Sequence, residues 1–451
     1  MELLFCGANR EVTGSCYAVR TKNATVVIDC GTFQGGKYAE DKNWLQFPFD
    51  PIDVDAVILT HAHFDHTGRL PKLYREGFRG KIWCAEATDE LAMVGLRDSA
   101  RLIEEEAERH GHPPLYVSAD VEPLERLWRP VNYHQEVQIA PGIRMTLVDA
   151  GHILGSASIR LDVEGHQLAF SGDLGNSPVP LLRSTELLNG AEIVVIESTY
   201  GNRVHEIGLP REEILRNAIM RTVKQKGTLL IPAFALERTQ ELLYELHHLL
   251  DSGTIPKIPV FLDSPMAIAS TDVFQRHYDL LNDEARLEIR QGSDLFRFPG
   301  LSFTESSEES KAIATRKGAK IIIAGSGMMN GGRILHHLRT YLPVENTTLL
   351  IVGYQVEGCL GRQLQDGARQ VKIYGDEIVV RADVRSFGSF SGHADFPRLM
   401  HWLRGIHTPA PSRIFVTHGE LNSALSFSQS VEEQLNIASG VPEFGERIQI
   451  A

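Results

Sequence analysis

The stretch AVILTHAHFDHTGRL, at positions 56–70, constrains the fold of this chain more than any other segment. An apolar run typical of a buried strand leads into an H-x-H-x-D-H pattern, which is formed by His61, His63, Asp65 and His66. Alternate side chains of an extended segment project to the same side, so the first two histidines can bind one metal ion. The aspartate and the third histidine lie beyond a turn and can bind a second ion. Imidazole nitrogens and carboxylate oxygens suit Zn²⁺, Mn²⁺ or Fe²⁺, so the pattern predicts a two-metal hydrolytic site at a strand end.

Single histidines and acids follow several other predicted strands. His152 in DAGHILGSAS and Asp173 in FSGDLG supply a third nitrogen and a bridging carboxylate, which the first cluster lacks. His393 in FSGHADF and His418 in RIFVTHGE repeat the pattern near the end of the chain. Each residue alone has a purely structural explanation, because polar turns after strands are common. Together they predict that the end of the chain folds back to the metal site.

The pattern of predicted strands and helices changes along the chain. The first third consists of short predicted strands joined by turns and broken by helical segments such as residues 89–110, which is typical of a mixed α/β unit. From about residue 211, apolar strands alternate with longer helices, which predicts βαβ units on a parallel, Rossmann-like sheet. The segment beyond about residue 386 is too short for a domain of its own and is predicted to complete the first domain. Histidines on the amphipathic helices are interpreted as surface or packing residues; they are His247, His248, His336 and His337.

Composition narrows the location of the protein and the nature of its partners. The chain has 45 Lys and Arg against 58 Asp and Glu, a net charge of −13, so any basic surface for nucleic acid has to be local. The cysteines are scattered and form no CxxC pair, which predicts a reducing, cytoplasmic compartment; they are Cys6, Cys16, Cys30, Cys84 and Cys359. The start of the chain has no secretory signal, and no apolar run approaches the roughly 20 residues of a membrane span, so we expect no membrane attachment.

The order of the strand-end residues resembles the metallo-β-lactamase superfamily, in particular its β-CASP branch of RNA-processing nucleases. The matching features are Asp29, HAHFDH, His152, Asp173, Glu197 in IESTYG, His393 and His418. The motifs PAFALERTQE, GSGMMNGGR and GYQVEGCLGR extend the resemblance over essentially the whole chain, in a minimal form similar to cleavage-and-polyadenylation endonucleases. The resemblance implies an α/β fold in which a four-layer αβ/βα metallo-β-lactamase domain, residues 1–204 and 386–451, is interrupted by a Rossmann-like β-CASP insertion, residues 205–385.

The same resemblance implies a dizinc site, with Mn²⁺ as a substitute. One ion is assigned to His61, His63 and His152. The other is assigned to Asp65, His66 and His418, and Asp173 bridges the two ions. Asp29 is implied to hold a ligand imidazole in its tautomer from outside the ligand shell.

Three of the matching residues are implied to be catalytic. Asp65 is implied to be catalytic as one of the metal ligands. His393 is the implied proton donor to the leaving 3′ oxygen. The carboxylate of Glu197 pairs with His393, and an ion pair of this kind keeps a histidine protonated at neutral pH.

The motif GSGMMNGGR predicts a contact to substrate phosphate. A glycine-rich turn between a strand and a helix presents backbone N–H groups to an anion, although a bare turn is an equally common explanation. By resemblance, the phosphate contacts are Ser326, Gly327, Met328 and Ser391. Arg238 and Arg362 are further candidates for phosphate contacts, with a salt bridge as the alternative for each. Cys359 stands where the family more often has Thr.

The implied function is a zinc-dependent ribonuclease that hydrolyses phosphodiester bonds of single-stranded RNA in a cleft between the two domains. One alternative retains the two-metal core and changes the substrate to DNA or a small ester. The presence of His393 and His418 disfavours both of these substrates. The other alternative is an inactive scaffold in RNA processing, which the complete ligand set disfavours. The sequence leaves open endonuclease or 5′–3′ exonuclease action, the 5′-end preference, the natural RNA targets, the native metal and the oligomeric state, a homodimer included.

Overall fold

The structure is a computed structural model that describes residues 1–35, 40–111, 113–205 and 209–450. The chain divides into two compact units. The first consists of residues 1–204 and 393–451, and the second consists of residues 205–392. The domain boundaries given above stay a prediction.

The first unit contains the following elements. Its strands are β1 (Glu2–Gly7), β2 (Cys16–Arg20), β3 (Thr25–Ile28), β4 (Ala56–Ile58), β5 (Lys81–Ala85), β6 (Trp128–Val131), β7 (Val137–Ala140), β8 (Ile143–Asp149), β9 (Ala157–Val163), β10 (His166–Phe170), β11 (Ile193–Glu197), β20 (Arg413–Thr417), β21 (Ala438–Gly440) and β22 (Arg447–Gln449). Its helices are α1 (Phe64–Thr67), α2 (Leu70–Arg75), α3 (Thr88–His110), α4 (Ser118–Val121), α12 (Phe396–Gly405) and α13 (Leu421–Leu435).

The second unit supplies the remaining labels. Its strands are β12 (Thr228–Pro232), β13 (Val260–Asp263), β14 (Leu301–Phe303), β15 (Lys320–Ala324), β16 (Thr347–Ile351), β17 (Gln370–Ile373), β18 (Asp376–Val379) and β19 (Asp383–Ser386). Its helices are α5 (Arg211–Gln225), α6 (Arg238–Asp251), α7 (Pro265–Arg276), α8 (Asp283–Arg290), α9 (Ser307–Ala312), α10 (Ile334–Tyr341) and α11 (Leu360–Gln365).

Two mixed sheets face each other in the first unit. Within the described residues, one sheet has the order β22-β1-β2-β3-β4-β5-β6 and the other has the order β21-β20-β11-β10-β9-β8-β7. Their inward side chains form one apolar core, in which Phe5 and Ile28 of the first sheet meet Ile159, Phe170 and Phe415 of the second. The end of the chain contributes to both sheets, because β20 pairs with β11 and β22 pairs with β1.

Helices cover the outer faces of both sheets. α3 packs on β5 and β6. On the other sheet, α12 buries Leu399, Trp402 and Leu403, which recur at helical spacing, and α13 buries Phe427 and Val431 beside them. Helix, sheet, sheet and helix therefore form four layers.

The second unit is built on a parallel sheet. The order of its strands among the described residues is β14-β13-β15-β12-β16-β19, and each neighbouring pair is parallel. β12, β15 and β16 are buried along their whole length, as expected for a sheet covered by helices on both faces. The predicted fold class is confirmed. Among the described residues, no helix combines the length and the apolar character that crossing a membrane requires.

Candidate metal centre and active site

Strand ends bring the predicted site residues of the first unit together. His152 follows β8, Asp173 follows β10, Glu197 ends β11, and His418 follows β20. These four strands run in the same direction within their sheet, so their carboxyl ends lie at one edge. From the facing sheet, the segment after β4 delivers the H-x-H-x-D-H pattern, and α1 begins directly after His63.

One group of candidate ligands consists of His61, His63, His152 and Asp173, whose ligand atoms all lie within 4.8 Å of one another. His63 Nδ1 lies 3.0 Å from His61 Nε2 and 3.1 Å from His152 Nε2. Nitrogens bound to one tetrahedral zinc ion at about 2.1 Å are separated by about 3.4 Å, so the spacing of the three imidazoles fits such an ion.

The second group consists of Asp65, His66 and His418. His418 Nε2 lies 3.2 Å from His66 Nε2 and 3.4 Å from Asp65 Oδ2. Imidazole nitrogens and a carboxylate oxygen are the ligand types of catalytic zinc sites. His418 has a left-handed backbone with φ 47°, which costs energy in a residue other than glycine and is typical of functional sites.

Asp173 lies between the two groups and is 2% exposed. Its Oδ2 is 3.5 Å from His61 Nε2 and 3.6 Å from His152 Nε2, whereas its Oδ1 is 3.4 Å from His66 Nε2. Within the described part of the chain, Oδ1 is buried and accepts no hydrogen bond. A buried carboxylate oxygen without a donor is costly, and a shared cation would compensate it. The residues present therefore fit a pair of metal ions.

The protonation of the histidines also suits metal binding in the first group. Burial lowers the pKa of His61 well below its usual value and lowers the pKa of His63 to about 4, although Asp65 and Asp173 oppose the shift of His63. Both imidazoles are therefore neutral at physiological pH, which is the form that binds a metal ion. Burial also lowers the pKa of His66, but Asp173 and Asp29 outweigh it and raise the pKa.

Asp29 lies behind the second group. Its Oδ2 is 2.7 Å from His66 Nδ1, which leaves His66 Nε2 directed at His418 and Asp173. Thr60 donates to Asp29 from its backbone N–H and from its hydroxyl, both at 2.8 Å.

Glu197 and His393 form a pair beside Asp173. Both oxygens of Glu197 lie 3.4 Å from His393 Nδ1, and Glu197 Oε1 also accepts a 2.6 Å hydrogen bond from the N–H of Leu174. Burial lowers the pKa of His393, but the charges of Glu197 and Asp173 outweigh it and raise the pKa to about 9. The side chain of His393 is 17% exposed, whereas that of Glu197 is 1% exposed, so only the histidine reaches the surface.

Two threonines at the site were absent from the sequence-based predictions. The hydroxyl of Thr60 lies 3.0 Å from His61 Nδ1, in addition to its bond to Asp29. The hydroxyl of Thr199 lies 3.2 Å from His418 Nδ1. Both residues adjoin a predicted site segment, in ILTH and ESTYG, and a polar residue at the end of an apolar strand is the signal that could have found them.

Three family models match the chain. A model described as the metallo-beta-lactamase superfamily matches residues 9–194, and the Beta-Casp domain model matches residues 239–364. The model of the Zn-dependent metallo-hydrolase RNA specificity domain matches residues 377–442. A Thermus thermophilus protein named Ribonuclease TTHA0252 is 38% identical to this chain over 432 residues, which cover 95% of each chain. The chain belongs to the metallo-β-lactamase superfamily, in its β-CASP branch. The resemblance inferred from the sequence is confirmed.

Further relatives cover the chain almost completely. A Methanocaldococcus jannaschii protein named RNase J-like protein is 31% identical over 448 residues, which are 98% of each chain. A transcription termination factor of the same organism, FttA, is 33% identical over 454 residues, which are 97% of this chain and 70% of the relative. A crystal structure of an Enterococcus faecalis protein of unknown function aligns with a TM-score of 0.58 and 13% identity over 99% of each chain, which shows a shared fold.

The β-CASP region contains the glycine-rich turn, residues 325–333, between β15 and α10. Met328 O accepts from the N–H of Gly361, and Gly327 O accepts a 3.1 Å bond from Gln355 Nε2. In the described parts of the chain, the backbone N–H groups of Gly327 and Met328 donate no hydrogen bond. Ser326 donates to Gly331 O from its backbone at 3.2 Å and from its hydroxyl at 3.3 Å.

The other predicted phosphate contacts have protein partners in the second unit. Arg238 is 5% exposed and pairs with Glu241 inside α6. Arg362 lies 3.0 Å from Asp366, and its side chain is 32% exposed. Ser391 is buried and donates from its N–H to Gly388 O. The structure thus favours the salt-bridge alternative for Arg238, whereas Arg362 retains a partly exposed guanidinium.

Proposed function

We propose that this chain is a metal-dependent ribonuclease that hydrolyses phosphodiester bonds of single-stranded RNA. The observation that carries the proposal is the convergence of two ligand groups around the orphaned carboxylate of Asp173. Two relatives named as ribonucleases, one of them 38% identical, support RNA as the substrate.

Two zinc ions are the proposed cofactors. One would be held by His61, His63 and His152, the other by Asp65, His66 and His418, and both by Asp173. Five nitrogen ligands against two carboxylates favour zinc over harder ions, and Mn²⁺ is the proposed substitute. When bound, such ions supply Lewis acidity, which activates water at neutral pH and stabilises negative charge on a phosphoryl group.

The remaining residues of the site orient ligands and move a proton. Asp29 accepts from His66 Nδ1 and so keeps Nε2 as the ligand atom. Glu197 faces Nδ1 of His393, which leaves Nε2 of His393 to donate a proton to the leaving 3′ oxygen. The 2.6 Å bond from Leu174 fixes Glu197 and therefore the orientation of the imidazole.

Substrate phosphate is proposed to bind at the glycine-rich turn. Gly327 and Met328 offer two successive backbone N–H groups, an arrangement that favours anions. A Cβ atom on Gly327 would lie 2.6 Å from the ring of Phe234, so a side chain at this position would displace that ring. Ser326, Ser391 and Arg362 complete the proposed set of contacts, and Arg238 is a further candidate whose charge is balanced by Glu241.

Location and assembly belong to the same proposal. The five cysteines are free and buried, which agrees with the reducing cytoplasm. The oligomeric state stays open, a homodimer included, and light scattering on the purified chain determines it.

Digestion of matched, end-labelled oligonucleotides tests the function. Zinc-loaded protein is expected to cleave single-stranded RNA and to leave DNA of the same sequence intact. RNAs with a 5′-phosphate, 5′-triphosphate or 5′-hydroxyl separate the two modes, since an endonuclease releases internal fragments and a 5′–3′ exonuclease releases mononucleotides. The His63→Ala variant is the control for contaminating nuclease. Intact RNA, or equal cleavage by wild type and His63→Ala, would contradict the proposal.

A further inference from the structure

The buried carboxylate of Asp263 organises a second polar cluster, which lies inside the second unit and contains none of the candidate metal ligands. Asp263 ends β13 and is 0% exposed. Its Oδ1 accepts from the hydroxyl of Thr304 and from Arg333 Nη1, each at 2.7 Å. Its Oδ2 accepts from the hydroxyl of Ser310 at 2.5 Å and lies 2.6 Å from His337 Nε2. The carboxylate is therefore saturated with donors, as a buried charge requires.

Two of these donors lie at the start of the helix that follows the glycine-rich turn, one as its N-cap residue and one within it. Arg333 is the last residue of the turn, and His337 lies one helical turn later on the same face of α10. Arg333 also donates to Thr304 O at 2.8 Å and to Glu305 O at 2.5 Å. Both terminal nitrogens of the guanidinium are thus bonded to the protein, which makes Arg333 an anchor of the turn.

Further hydrogen bonds hold the base and the middle of the turn. The N–H of Ile334 donates to Gly325 O at 3.0 Å and closes the turn across its base. Gln355 and Gly361 bind the carbonyls of Gly327 and Met328 from the other side. In the described structure the N–H groups of Gly327 and Met328 have no acceptor and are left for a ligand, and their direction depends on both anchors.

We propose that Asp263 is a positioning residue, which fixes Arg333 and His337 and thereby holds the glycine-rich turn in the conformation that binds substrate phosphate. This inference rests on the phosphate role of the turn under the proposed function. The proposed phosphate contacts are backbone N–H groups, so their positions are set by the residues that hold the backbone of the turn. A flexible turn would lose affinity through the entropy of ordering on binding.

Steady-state kinetics of Asp263→Asn in the zinc-loaded full chain test the inference. The asparagine retains the shape of the side chain but loses its charge and one acceptor. We expect the KM for a labelled single-stranded oligoribonucleotide to rise about tenfold, with kcat within about twofold of wild type, because binding is weakened and the reacting groups are untouched. Inorganic phosphate, as a competitive inhibitor, is expected to lose affinity by a similar factor.

Ser310→Ala is the matched control. It removes one donor to Asp263 and leaves the contacts of Arg333 and His337 intact, so its KM is expected to stay within about twofold of wild type. Arg333→Gln is the second variant, for use if Asp263→Asn does not fold, since Arg333 is partly exposed and its loss leaves Asp263 with the other donors. It is expected to raise KM in the same way.

The outcomes separate this inference from the proposed function. If wild-type protein does not cleave RNA, the proposed function fails. If wild type cleaves RNA and Asp263→Asn or Arg333→Gln retains the KM of the Ser310→Ala control, the positioning role is wrong and the cluster only stabilises the fold. A fall in kcat at unchanged KM would also overturn the inference, because it would place the effect on the chemical step.

Discussion

Asp29 and Asp263 form two buried carboxylate–histidine pairs, one in each unit, with nearly the same contact. Asp29 lies 2.7 Å from His66 Nδ1, and Asp263 lies 2.6 Å from His337 Nε2. Each aspartate stands at the end of a strand, and each is at most 1% exposed. The surroundings of the two pairs differ.

The difference lies in the donors around each carboxylate. Burial raises the pKa of Asp29, and the lowering by His66 and Thr60 does not offset it. Burial also acts to raise the pKa of Asp263, but the donors, Arg333 among them, outweigh it and lower the pKa to about 2. A carboxylate that lacks a full set of donors can still polarise its histidine. A carboxylate that is saturated with donors instead fixes the positions of the residues that donate to it. The same pair thus suits a metal site in one unit and an anchor in the other.

Removal of metal is expected to have the largest effect on RNA cleavage and to distinguish the Asp29–His66 pair most clearly from the Asp263–His337 pair. A strong chelator should reduce RNA cleavage to the level of a protein-free control, and zinc should restore it, because the proposed reaction depends on the Lewis acidity of the bound ions. Hydrogen–deuterium exchange should increase in peptides that contain His66 and stay unchanged in peptides that contain His337. Equal changes in both peptides would show that the two pairs are not distinct.

Substitution of the proposed proton donor comes next. His393→Gln is expected to lower kcat by about 10² to 10⁴, the usual contribution of a general acid, while the bound zinc per chain stays unchanged. Elemental analysis beside single-turnover cleavage checks both parts. Loss of zinc in this variant would instead assign His393 to the metal ligands, an arrangement that the proximity of Asp173, Glu197 and His393 allows.

Asp29→Asn should weaken metal affinity by about 10- to 100-fold, since the residue orients His66 without binding the ion. Competition with a zinc chelator of known affinity measures the metal affinity of the variant. Asp263→Asn is the matched control, with the same chemical change in the other pair, and it should bind zinc as wild type does. If both variants lose zinc alike, the proposed role of Asp29 is not supported.

The smallest expected effect is on stability at acid pH. The folded pKa of Asp263 is about 2, below its usual 3.8, so the unfolded chain takes up the proton first and the stabilisation is lost as pH falls from about 4 towards 2. The contribution present above pH 4 is about 2 kcal/mol. The difference in urea midpoint between wild type and Asp263→Asn should therefore narrow between pH 5 and pH 3. If the difference in urea midpoint stayed constant over this pH range, the charge of Asp263 would be excluded as the source of that difference.

The local parts of the site could be predicted because they depend on spacing along the chain. The H-x-H-x-D-H pattern places its own ligands, since an extended segment followed by a short helix projects them in fixed directions. The histidines of the amphipathic helices were interpreted as surface or packing residues, and His337 is indeed buried. Its bond to Asp263 could not be predicted, because two strands and three helices separate the two residues along the chain, and local periodicity does not encode the order of the strands in the sheet.

The sequence by itself determined the element types, the candidate metal ligands and the family, because hydrophobic period, ligand type and motif order are local properties of the chain. Only the tertiary structure decided which strand ends meet: it brought Asp173 between two groups of histidines and set Glu197 against His393. It also decided that Arg238 is buried beside Glu241 and that Arg333 is held by Asp263. The physical reason is that a buried charge is stable only where folding supplies partners, and those partners come from distant segments.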